Sequence, residues 1–204
     1  MKWLSKLNPF RSKSDTPMDS RALLEMISAG GLAVSRVQIN TDTAIRYAAF
    51  FTCLKVLSED VGKLPVKLYK SRPGRGSDIA LDHRVHRLIS RRPNDYMTSS
   101  EFWEMCTAHQ VLRGNFYAWK NIVGGEVTEL LPLNPGTCRA RLREDWTLVY
   151  DVTFANGKRD ILSQDEIFHV RALTLDGING LGALEYARES LGLGVAAERH
   201  GAKL

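Results

Sequence analysis

Residues 111–119 read Val-Leu-Arg-Gly-Asn-Phe-Tyr-Ala-Trp, a stretch in which a helical pattern ends on a glycine and an alternating, aromatic strand pattern begins at once. Upstream, Thr98 and Glu101 have the spacing of a capping box, so we expect a helix to begin near Thr98. Its apolar face consists of side chains three or four positions apart, namely Phe102, Met105, His109 and Leu112. Gly114 can adopt the left-handed conformation that ends a helix. The sequence therefore predicts a helix that passes into a strand with almost no loop.

An apolar helix is predicted upstream, directly after the polar cluster Asn40-Thr41-Asp42-Thr43. The side chains of its expected apolar stripe are Tyr47, Phe50, Leu54, Leu57 and Val61. Gly62 ends this helix, and Pro65 prevents it from resuming. We therefore expect a core helix that buries this stripe.

The segment between this helix and Pro93 carries three weaker signals. Residues 66–70 alternate as a half-buried strand, and residues 71–78 are rich in Pro and Gly, as in a surface loop. A short helix is then expected to carry Val85, Leu88 and Ile89 up to the break at Pro93.

Downstream of Gly114 the period changes from helical to alternating. Gly124-Gly125 and Asn156-Gly157 are two-residue turn signals, and each lies between two alternating segments. The segments expected as strands are 116–123, 126–133, 137–142, 147–154, 158–162 and 167–171. Residues 163–166 resemble a second capping box, but the strand pattern that follows leaves room for one helical turn at most. A final helix from Ala183 places Leu184, Ala187, Leu191 and Val195 on one face. The expected fold class is α+β, with helices flanking an antiparallel β meander.

Composition limits the class of protein. A chain of 204 residues with 44% hydrophobic side chains can bury one sizeable core, or a larger and a smaller one. The apolar runs are far shorter than the roughly 20 residues that cross a bilayer, and residues 1–10 lack the apolar core of a secretory signal. The three cysteines, Cys53, Cys106 and Cys138, are predicted to be reduced and buried rather than paired in disulfides or bound to zinc.

Positive charge is concentrated in residues 63–92. This segment holds nine Lys or Arg residues against Asp78 and Asp82, a balance of +7, so the rest of the +5 chain sums to −2. A basic patch can neutralise phosphates, and the candidate nucleic-acid contacts are Arg84, Arg87, Arg91 and Arg92. A solvated loop and helix face is the simpler interpretation. Aromatic residues do not alternate with these charges, as a single-strand stacking platform would require.

Catalytic and cofactor motifs are weak throughout the sequence. His83 and His86 lie at a polar helix start, His109 lies on an inner helix face, and His169 lies in an apolar strand. Asp165 and Glu166 are adjacent in extended chain and so point to opposite faces, which disfavours paired acid and base work. Residues 177–182 precede a helix but lack the Lys-Ser/Thr of a phosphate-binding loop. The sequence therefore predicts no catalytic site, cofactor or metal, as in a structural assembly protein.

The order of the junctions resembles the N-terminal half of phage portal proteins of the HK97 type, over residues 40–204. The stretches that carry the resemblance are 62–66, 92–94, 114–115, 129–135, 165–170 and 177–182. It implies a portal wing-like α+β domain over 41–204. Weak periodicity and scattered Lys, Arg and Pro residues in 1–40 predict a flexible N-terminal arm before this domain. The final helix is still amphipathic at the last residues, so we interpret it as truncated, with the stem, clip and crown absent and the chain as a fragment or a remnant.

The resemblance also implies a function. The chain is expected to be a portal, or head-to-tail connector, subunit that forms a ring of twelve copies at one capsid vertex of the virion, after assembly in the host cytoplasm. The implied partners are the terminase, the major capsid protein, a head-tail adaptor and double-stranded DNA, which is contacted through its backbone; no membrane, cofactor or reaction is implied. The matching motif residues are expected to shape the fold: Pro65, Pro93, Asn94, Gly114, Asn115, Pro132, His169 and Gly180.

Two other function classes stay open on the sequence alone. One is a small basic nucleic-acid-binding module centred on residues 63–92, and the other is an uncharacterised hydrolase. The predicted N-terminal arm has helically spaced apolar residues at Trp3, Leu4, Leu7 and Phe10, as in a membrane anchor. Pro9 interrupts this short stretch, so we favour an arm that lies on a neighbouring subunit.

Overall fold

The structure, a computed structural model, describes residues 39–201. Within these residues the helices are α1 (Thr41–Arg46), α2 (Ala48–Gly62), α3 (Arg84–Ser90), α4 (Ser99–Arg113) and α5 (Ala183–Gly201). The strands are β1 (Tyr69–Ser71), β2 (Ser77–Ile79), β3 (Asn115–Val123), β4 (Glu126–Leu133), β5 (Cys138–Leu142), β6 (Leu148–Thr153), β7 (Arg159–Ser163) and β8 (Ile167–Arg171). Helices and antiparallel sheets occupy different parts of the chain, so the fold class is α+β, as predicted.

Helix α4 begins and ends at the predicted residues. The Thr98 hydroxyl accepts from the Glu101 amide at 3.3 Å, and the Glu101 carboxylate accepts from the Thr98 amide at 2.7 Å. The hydrogen bonds from Thr98 hold the pKa of Glu101 below its usual value. Gly114 ends the helix at φ 77°, and its amide donates to the Gln110 carbonyl at 2.9 Å. Strand β3 starts at the next residue, which confirms the direct junction.

The predicted upstream helix is two helices. The Asn40 side chain accepts from the Thr43 amide at 2.9 Å and begins α1. Tyr47 then adopts an extended conformation, with φ −78° and ψ 111°, and separates α1 from α2. The prediction of one continuous helix is wrong at this residue. The break lets Ala44 of α1 pack against Leu184 of α5.

Helix α2 buries only part of the predicted stripe: Leu54 is buried as predicted, but Leu57 and Val61 are not. Its buried residues are Leu54, Ser58 and Gly62. The small residues allow α4 to approach closely, because a Cβ at Gly62 would lie 2.9 Å from the Ser100 carbonyl oxygen. Leu57 and Val61 are exposed, so their assignment to the core is wrong. One position corresponds to about 100° around a helix, so packing through Ser58 turns Leu57 away from α4.

The strands form two larger sheets instead of one continuous meander. Their orders are β4-β3-β8 and β5-β6-β7, with antiparallel neighbours in both. The predicted hairpin turns are confirmed: Gly124 and Gly125 have φ of 61° and 81°, as the tightest hairpins require. The single meander is wrong because β4 and β5 belong to different sheets. Strand β8 returns to β3, from Asn115 opposite Arg171 to Trp119 opposite Ile167.

Three hydrophobic clusters hold these layers together. Helix α4 packs on the first sheet through Phe102 and Phe116, whose ring centroids lie 5.1 Å apart at 87°. Tyr117 of the first sheet and Tyr150 of the second share another cluster, which joins the two sheets. Ile39, Ala44 and Leu184 form the third, between the start of the described chain, α1 and α5. The edge-to-face geometry of the aromatic rings adds to the stabilisation from buried area.

The region between α2 and α3 differs from its prediction. Strand β1 covers only Tyr69–Ser71 and is exposed, so a half-buried strand over 66–70 is wrong. Strand β2 pairs with β1 inside the predicted loop, with Tyr69 opposite Ile79. Arg72 forms an ion pair with Asp78 across this hairpin. The predicted short helix is confirmed as α3, with Leu88 buried.

Two of the three cysteines are buried. Cys106 and Cys138 are buried, and burial raises the pKa of both thiols to about 12. Cys53 is exposed on α2, so its predicted burial is wrong.

None of the helices in residues 39–201 is long and apolar enough to span a bilayer. The predicted arm and anchor lie outside the described residues, apart from residues 39–40, as does the chain after Gly201.

Candidate functional site

Four of the predicted motif residues, Gly114, Asn115, His169 and Gly180, meet at the junction of α4 and β3 and are called here the Asn115 cluster. The Asn115 side-chain oxygen accepts from the Gly180 amide at 2.8 Å and lies 3.0 Å from Nε2 of His169. Its side-chain nitrogen donates to the carbonyls of Gly180 and Arg113, both at 3.3 Å. Asn115 is buried, and hydrogen bonds use both ends of its amide.

The backbones of Gly114 and Gly180 are in direct contact. A Cβ at Gly114 would lie 2.0 Å from the Gly180 carbonyl oxygen, and a Cβ at Gly180 would lie 1.9 Å from that of Gly114. The Ala172 amide donates to the Gly114 carbonyl at 2.8 Å. The loop before α5 is therefore fastened to the end of α4 at a point where no side chain fits.

His169 connects the two larger sheets. Its Nδ1 lies 3.3 Å from the Tyr150 hydroxyl of β6, and its ring centroid lies 4.4 Å from that of Tyr117. Because the Asn115 oxygen already accepts from Gly180, the hydrogen-bond network assigns the proton to Nε2, and Nδ1 accepts from Tyr150. Burial, with a smaller effect of the Arg171 charge, lowers the pKa of His169 to about 4. The neutral ring thus serves as a link at neutral pH.

We expect folding stability to fall as the pH falls from about 6.5 to 4, because an unfolded histidine has a pKa of about 6.5 and binds a proton that folded His169 excludes. This pKa shift corresponds to a loss of up to about 3 kcal/mol in the free energy of unfolding. Urea unfolding of the wild type and of His169→Gln at pH 7.5, 6 and 5 measures this loss.

Since glutamine does not titrate, the variant should show a clearly weaker dependence on pH over this range. His109 is a second source of acid sensitivity, because burial lowers its pKa as well. Equal slopes for wild type and His169→Gln would contradict the assignment.

Two further motif residues, Pro93 and Asn94, lie against strand β4. The Asn94 side-chain nitrogen donates to the Leu130 carbonyl at 2.8 Å, and the Leu130 amide donates to the Pro93 carbonyl at 2.7 Å. Pro132 lies two positions along the same strand, opposite Ala118 of β3. Pro65 is exposed between α2 and β1 and lies apart from both groups. That all of these residues shape the fold stays a prediction.

The four candidate DNA-contacting arginines are exposed at α3 and just after it. Arg84 forms an ion pair with Glu126 of β4, and the Arg92 guanidinium donates to the Asp95 carbonyl at 2.9 Å. These contacts point the guanidinium groups of Arg84 and Arg92 toward protein partners, so only part of the positive charge at α3 faces solvent. Nucleic-acid contact by Arg84, Arg87, Arg91 and Arg92 stays a prediction.

Three of the remaining candidates for chemistry, His83, His86 and Glu166, have structural partners, whereas Nδ1 of His109 has no hydrogen-bond partner among the described residues. The His83 ring accepts from the Val85 amide at 3.2 Å and begins α3. Ser90 lies 3.3 Å from Nδ1 of His86, but its hydroxyl donates to the His86 carbonyl. Glu166 accepts from the Ser163 amide and hydroxyl, both at 2.8 Å, in the turn before β8. Among residues 39–201, no group of three or more His, Cys, Asp or Glu side chains could hold a metal ion.

One surface feature escaped the sequence analysis. Leu173 and Leu175, in the loop after β8, and Tyr186 of α5 are exposed beside an apolar groove of about 640 Å³. The groove floor includes Val111 of α4 and Leu181. The available signal was the sequence Leu-Thr-Leu at 173–175, in a loop where leucine has no periodic partner. Such a patch is typical of a surface that another protein covers.

A model of the phage portal protein family matches residues 48–204. Protein BeeE of Escherichia coli (strain K12) is 45% identical over 130 residues, which cover 62% of this chain and 81% of BeeE. The portal protein of Enterobacteria phage HK97 is 29% identical over 162 residues, covering 78% of this chain and 38% of that protein. A chain from the neck of an empty gene transfer agent (GTA) particle matches with a TM-score of 0.68 at 22% identity.

The lengths covered differ between these proteins. The match to the GTA chain spans 89% of this chain and 50% of that one. This chain therefore spans about half of the GTA chain and less than half of the HK97 portal protein. At that identity the GTA comparison concerns the fold, in agreement with the α+β class.

Proposed function

The chain belongs to the phage portal protein family, and on that premise we propose that it is a subunit of a portal ring, the head-to-tail connector through which double-stranded DNA enters and leaves a capsid. The observation that carries the proposal is the family match over residues 48–204. Because this chain spans 38% of the HK97 portal protein, each property of the complete ring is part of the proposal.

The proposed assembly has twelve copies at one capsid vertex of the virion, formed beforehand in the host cytoplasm. Its partners are the terminase, which supplies ATP hydrolysis, the major capsid protein and a head-tail adaptor. Packaging has to accept any sequence, so contacts with DNA go to the phosphate backbone. The subunit itself is structural and catalyses no reaction.

The Asn115 cluster supports this function. A head-to-tail interface closes into a ring only if the rotation per subunit divides a full turn, so each subunit has to hold its shape. Gly114, Asn115 and Gly180 fasten the loop before α5 to the end of α4 and the start of β3 through short backbone contacts. His169 extends this joint to the second sheet through Tyr150. A subunit built in this way can act as a rigid wedge.

Electron microscopy of the purified full chain tests the proposal. We expect annular particles with a central opening, whose formation requires no nucleotide. A preparation that stays as single small particles under assembly conditions, or one that turns over a substrate, would overturn it.

One observation favours a second candidate, a basic nucleic-acid-binding module. Residues 63–92 carry a net charge of +7. Such a module would bind DNA as a monomer with an affinity that falls as salt rises, and neutralising Arg84, Arg87, Arg91 and Arg92 would abolish binding. The ion pairs of Arg72 with Asp78 and Arg84 with Glu126 weaken this candidate.

A further inference from the structure

The turn between β5 and β6 presents an exposed tryptophan in a strained conformation. Trp146 has a φ of 64° and is the only residue other than glycine with a positive φ in the described part of the chain. It is 83% exposed, the largest fraction among the large apolar residues described. A left-handed conformation is unfavourable for a residue with a Cβ, and an exposed indole ring contributes little to the core. Trp146 therefore reduces the stability of the isolated subunit.

The hydrogen bonds of this turn show which residue its conformation favours. The Arg143 amide donates to the Thr147 carbonyl at 2.9 Å, and the Trp146 amide donates to the Arg143 carbonyl at 3.0 Å. This pattern is that of a three-residue hairpin loop, whose last residue adopts the left-handed conformation. Glycine is the usual residue at that position. A tryptophan in its place indicates a use outside the subunit, because strained residues cluster at functional sites.

An exposed tryptophan in this setting fits a protein partner. Tryptophan is enriched among the residues that contribute most to protein–protein binding, where its ring fills a pocket. The other two residues of the loop, Glu144 and Asp145, are acidic. Their carboxylates repel phosphates, so nucleic acid and anionic lipid are poorer partners than an apolar protein groove.

The protein itself carries such a groove. It has a volume of about 650 Å³, lies between α2 and α4, and is called here the α2–α4 groove. Its apolar walls include Phe51 and Leu54 of α2 and Met105 and Ala108 of α4. Methionine adapts to different shapes, and its sulfur contacts aromatic rings favourably. A groove of this volume accommodates a drug-sized ligand, so an indole ring fits within it.

The α2–α4 groove also contains a buried polar atom that lacks a partner. Ser58 of α2 lines the groove and is 3% exposed, and its hydroxyl oxygen has no hydrogen-bond partner among the described residues. Buried hydroxyls normally have a partner, because an unpaired polar group costs free energy. The indole N–H is a donor only, and rotation about the Cα–Cβ bond can turn the Ser58 oxygen toward it.

The apolar groove beside Tyr186 lacks this feature. The Thr107 hydroxyl there donates to the Trp103 carbonyl at 3.0 Å, and the Gln110 side chain donates to the Arg171 carbonyl at 3.1 Å. Of the two grooves, the α2–α4 groove is therefore the one that matches a side chain with a free N–H donor.

Trp146 and the α2–α4 groove lie on opposite sides of the first sheet. Along β3, Phe116 and Ala118 pack against α4, whereas Tyr117 between them packs against the second sheet. Helix α2 packs on α4 through Gly62, and Trp146 lies at the tip of a hairpin of the second sheet. The first sheet thus separates the tryptophan of a subunit from its own groove. Unlike features on opposite sides suit a head-to-tail contact, whereas a two-fold dimer needs both in one patch.

We propose that Trp146 of one subunit inserts into the α2–α4 groove of the next subunit and forms the contact that repeats around the ring. This inference rests on the proposed function, because the ring makes a second copy of the chain the partner. The turn and the groove each hold one basic and two acidic side chains, so the apolar ring and not charge carries the contact. These side chains are Arg143, Glu144 and Asp145 in the turn, and Lys55, Glu101 and Glu104 at the groove.

Trp146→Gly removes the indole ring and introduces the residue that a φ of 64° favours. The variant should keep its circular dichroism and unfold at the same temperature as the wild-type subunit or at a higher one. It should nevertheless fail to form rings and remain a monomer of 22.9 kDa in mass photometry. Leu81→Ala, at a residue that is 69% exposed, is the control and should assemble as the wild type does.

Two further variants test the groove. Ala108→Trp fills it with an indole ring of the same subunit, so this variant should also remain a monomer. Ser58→Ala removes the hydroxyl that would accept from the indole N–H, and should raise the concentration for half-assembly about fivefold. Its subunit should be no less stable than the wild type, because the lost atom has no partner there. Ser58→Ala thus tests the groove independently of whether Ala108→Trp folds.

An equal mixture of Trp146→Gly and Ala108→Trp retains one intact tryptophan and one intact groove. It should therefore form a dimer of twice 22.9 kDa and stop growing. A mixture that stays monomeric, or a dimer from one of these variants alone, would overturn the head-to-tail contact.

Rings from Trp146→Gly, or their loss in Leu81→Ala as well, would overturn the assignment of the tryptophan. Rings from a folded Ala108→Trp, or unchanged assembly of Ser58→Ala, would overturn the assignment of the groove. In each of these cases the wild type still forms rings, so only the contact fails. If the wild type itself stays monomeric, the proposed function fails instead.

Discussion

Replacing Gly114 with alanine is expected to reduce folding stability by more than about 4 kcal/mol, enough to abolish the native state of an ordinary domain. Two effects add at this residue. Its φ of 77° is unfavourable for any residue with a Cβ, and that Cβ would lie 2.0 Å from the Gly180 carbonyl oxygen. The obstructing atom is backbone held by Asn115, so it cannot move aside without breaking the hydrogen bonds of the Asn115 cluster.

Gly177 provides the matched control for this experiment. It also has a left-handed φ, of 74°, but no described atom lies within 4 Å of a Cβ added there. Gly177→Ala should therefore lose only the conformational part, about 1–2 kcal/mol. Soluble yield and urea unfolding followed by circular dichroism measure both variants, and losses of equal size would contradict the close contact.

Phe102→Ala is expected to destabilise the fold by about 3–5 kcal/mol, the usual range for removing a fully buried aromatic side chain. Phe102 has 0% exposure and joins α4 to the first sheet. Its ring lies edge-to-face with Phe116 at 5.1 Å and with Trp103 at 5.4 Å. The substitution thus leaves a cavity and removes two aromatic contacts at the place where helix and sheet meet.

Phe51 of α2 is the control, because it loses the same atoms from a side chain that is 46% exposed. Phe51→Ala should lose less than about 1.5 kcal/mol, since little buried area disappears and no cavity forms. Midpoints of thermal or urea unfolding give both values. Equal losses of stability in the two variants would contradict the assignment of Phe102 as the side chain that joins α4 to the first sheet.

Elements whose signals lie in adjacent residues could be predicted from the sequence. The Thr98 and Glu101 capping box and Gly114 determined both ends of α4 within one residue. Gly124-Gly125 and Asn156-Gly157 located two hairpins, because the turn residues adopt conformations that few other residues accept. The order of these junctions also carried the resemblance to portal proteins, which the family match confirms.

Features that depend on distant partners could not be predicted in this way. The buried face of α2 follows from the close approach of α4 to Ser58 and Gly62, and the stripe pattern contains no information on that approach. Strand β8 pairs with β3 across about fifty residues, although β7 is its neighbour in sequence. Periodicity indicates which residues are apolar, while tertiary packing decides what covers them.

The same distinction applies to the candidate site. His169 was recognisable as a strand histidine, but its partner Tyr150 lies on another sheet and has no sequence signal. The resemblance to portal proteins identified Asn115 and Gly180 as motif residues. The hydrogen bonds between them explain how two residues 65 positions apart in the sequence form one junction. The exposed Leu173 and Leu175 could not be recognised as a surface patch from the sequence, because leucines in a loop have no periodicity.

The most direct test of the central claim, that this chain works by joining copies of itself, is the mass of the full wild-type protein in solution as its concentration rises. We expect a species of about 275 kDa, twelve times the 22.9 kDa of one chain, that appears cooperatively and without nucleotide. A single species of 22.9 kDa at every concentration would contradict it.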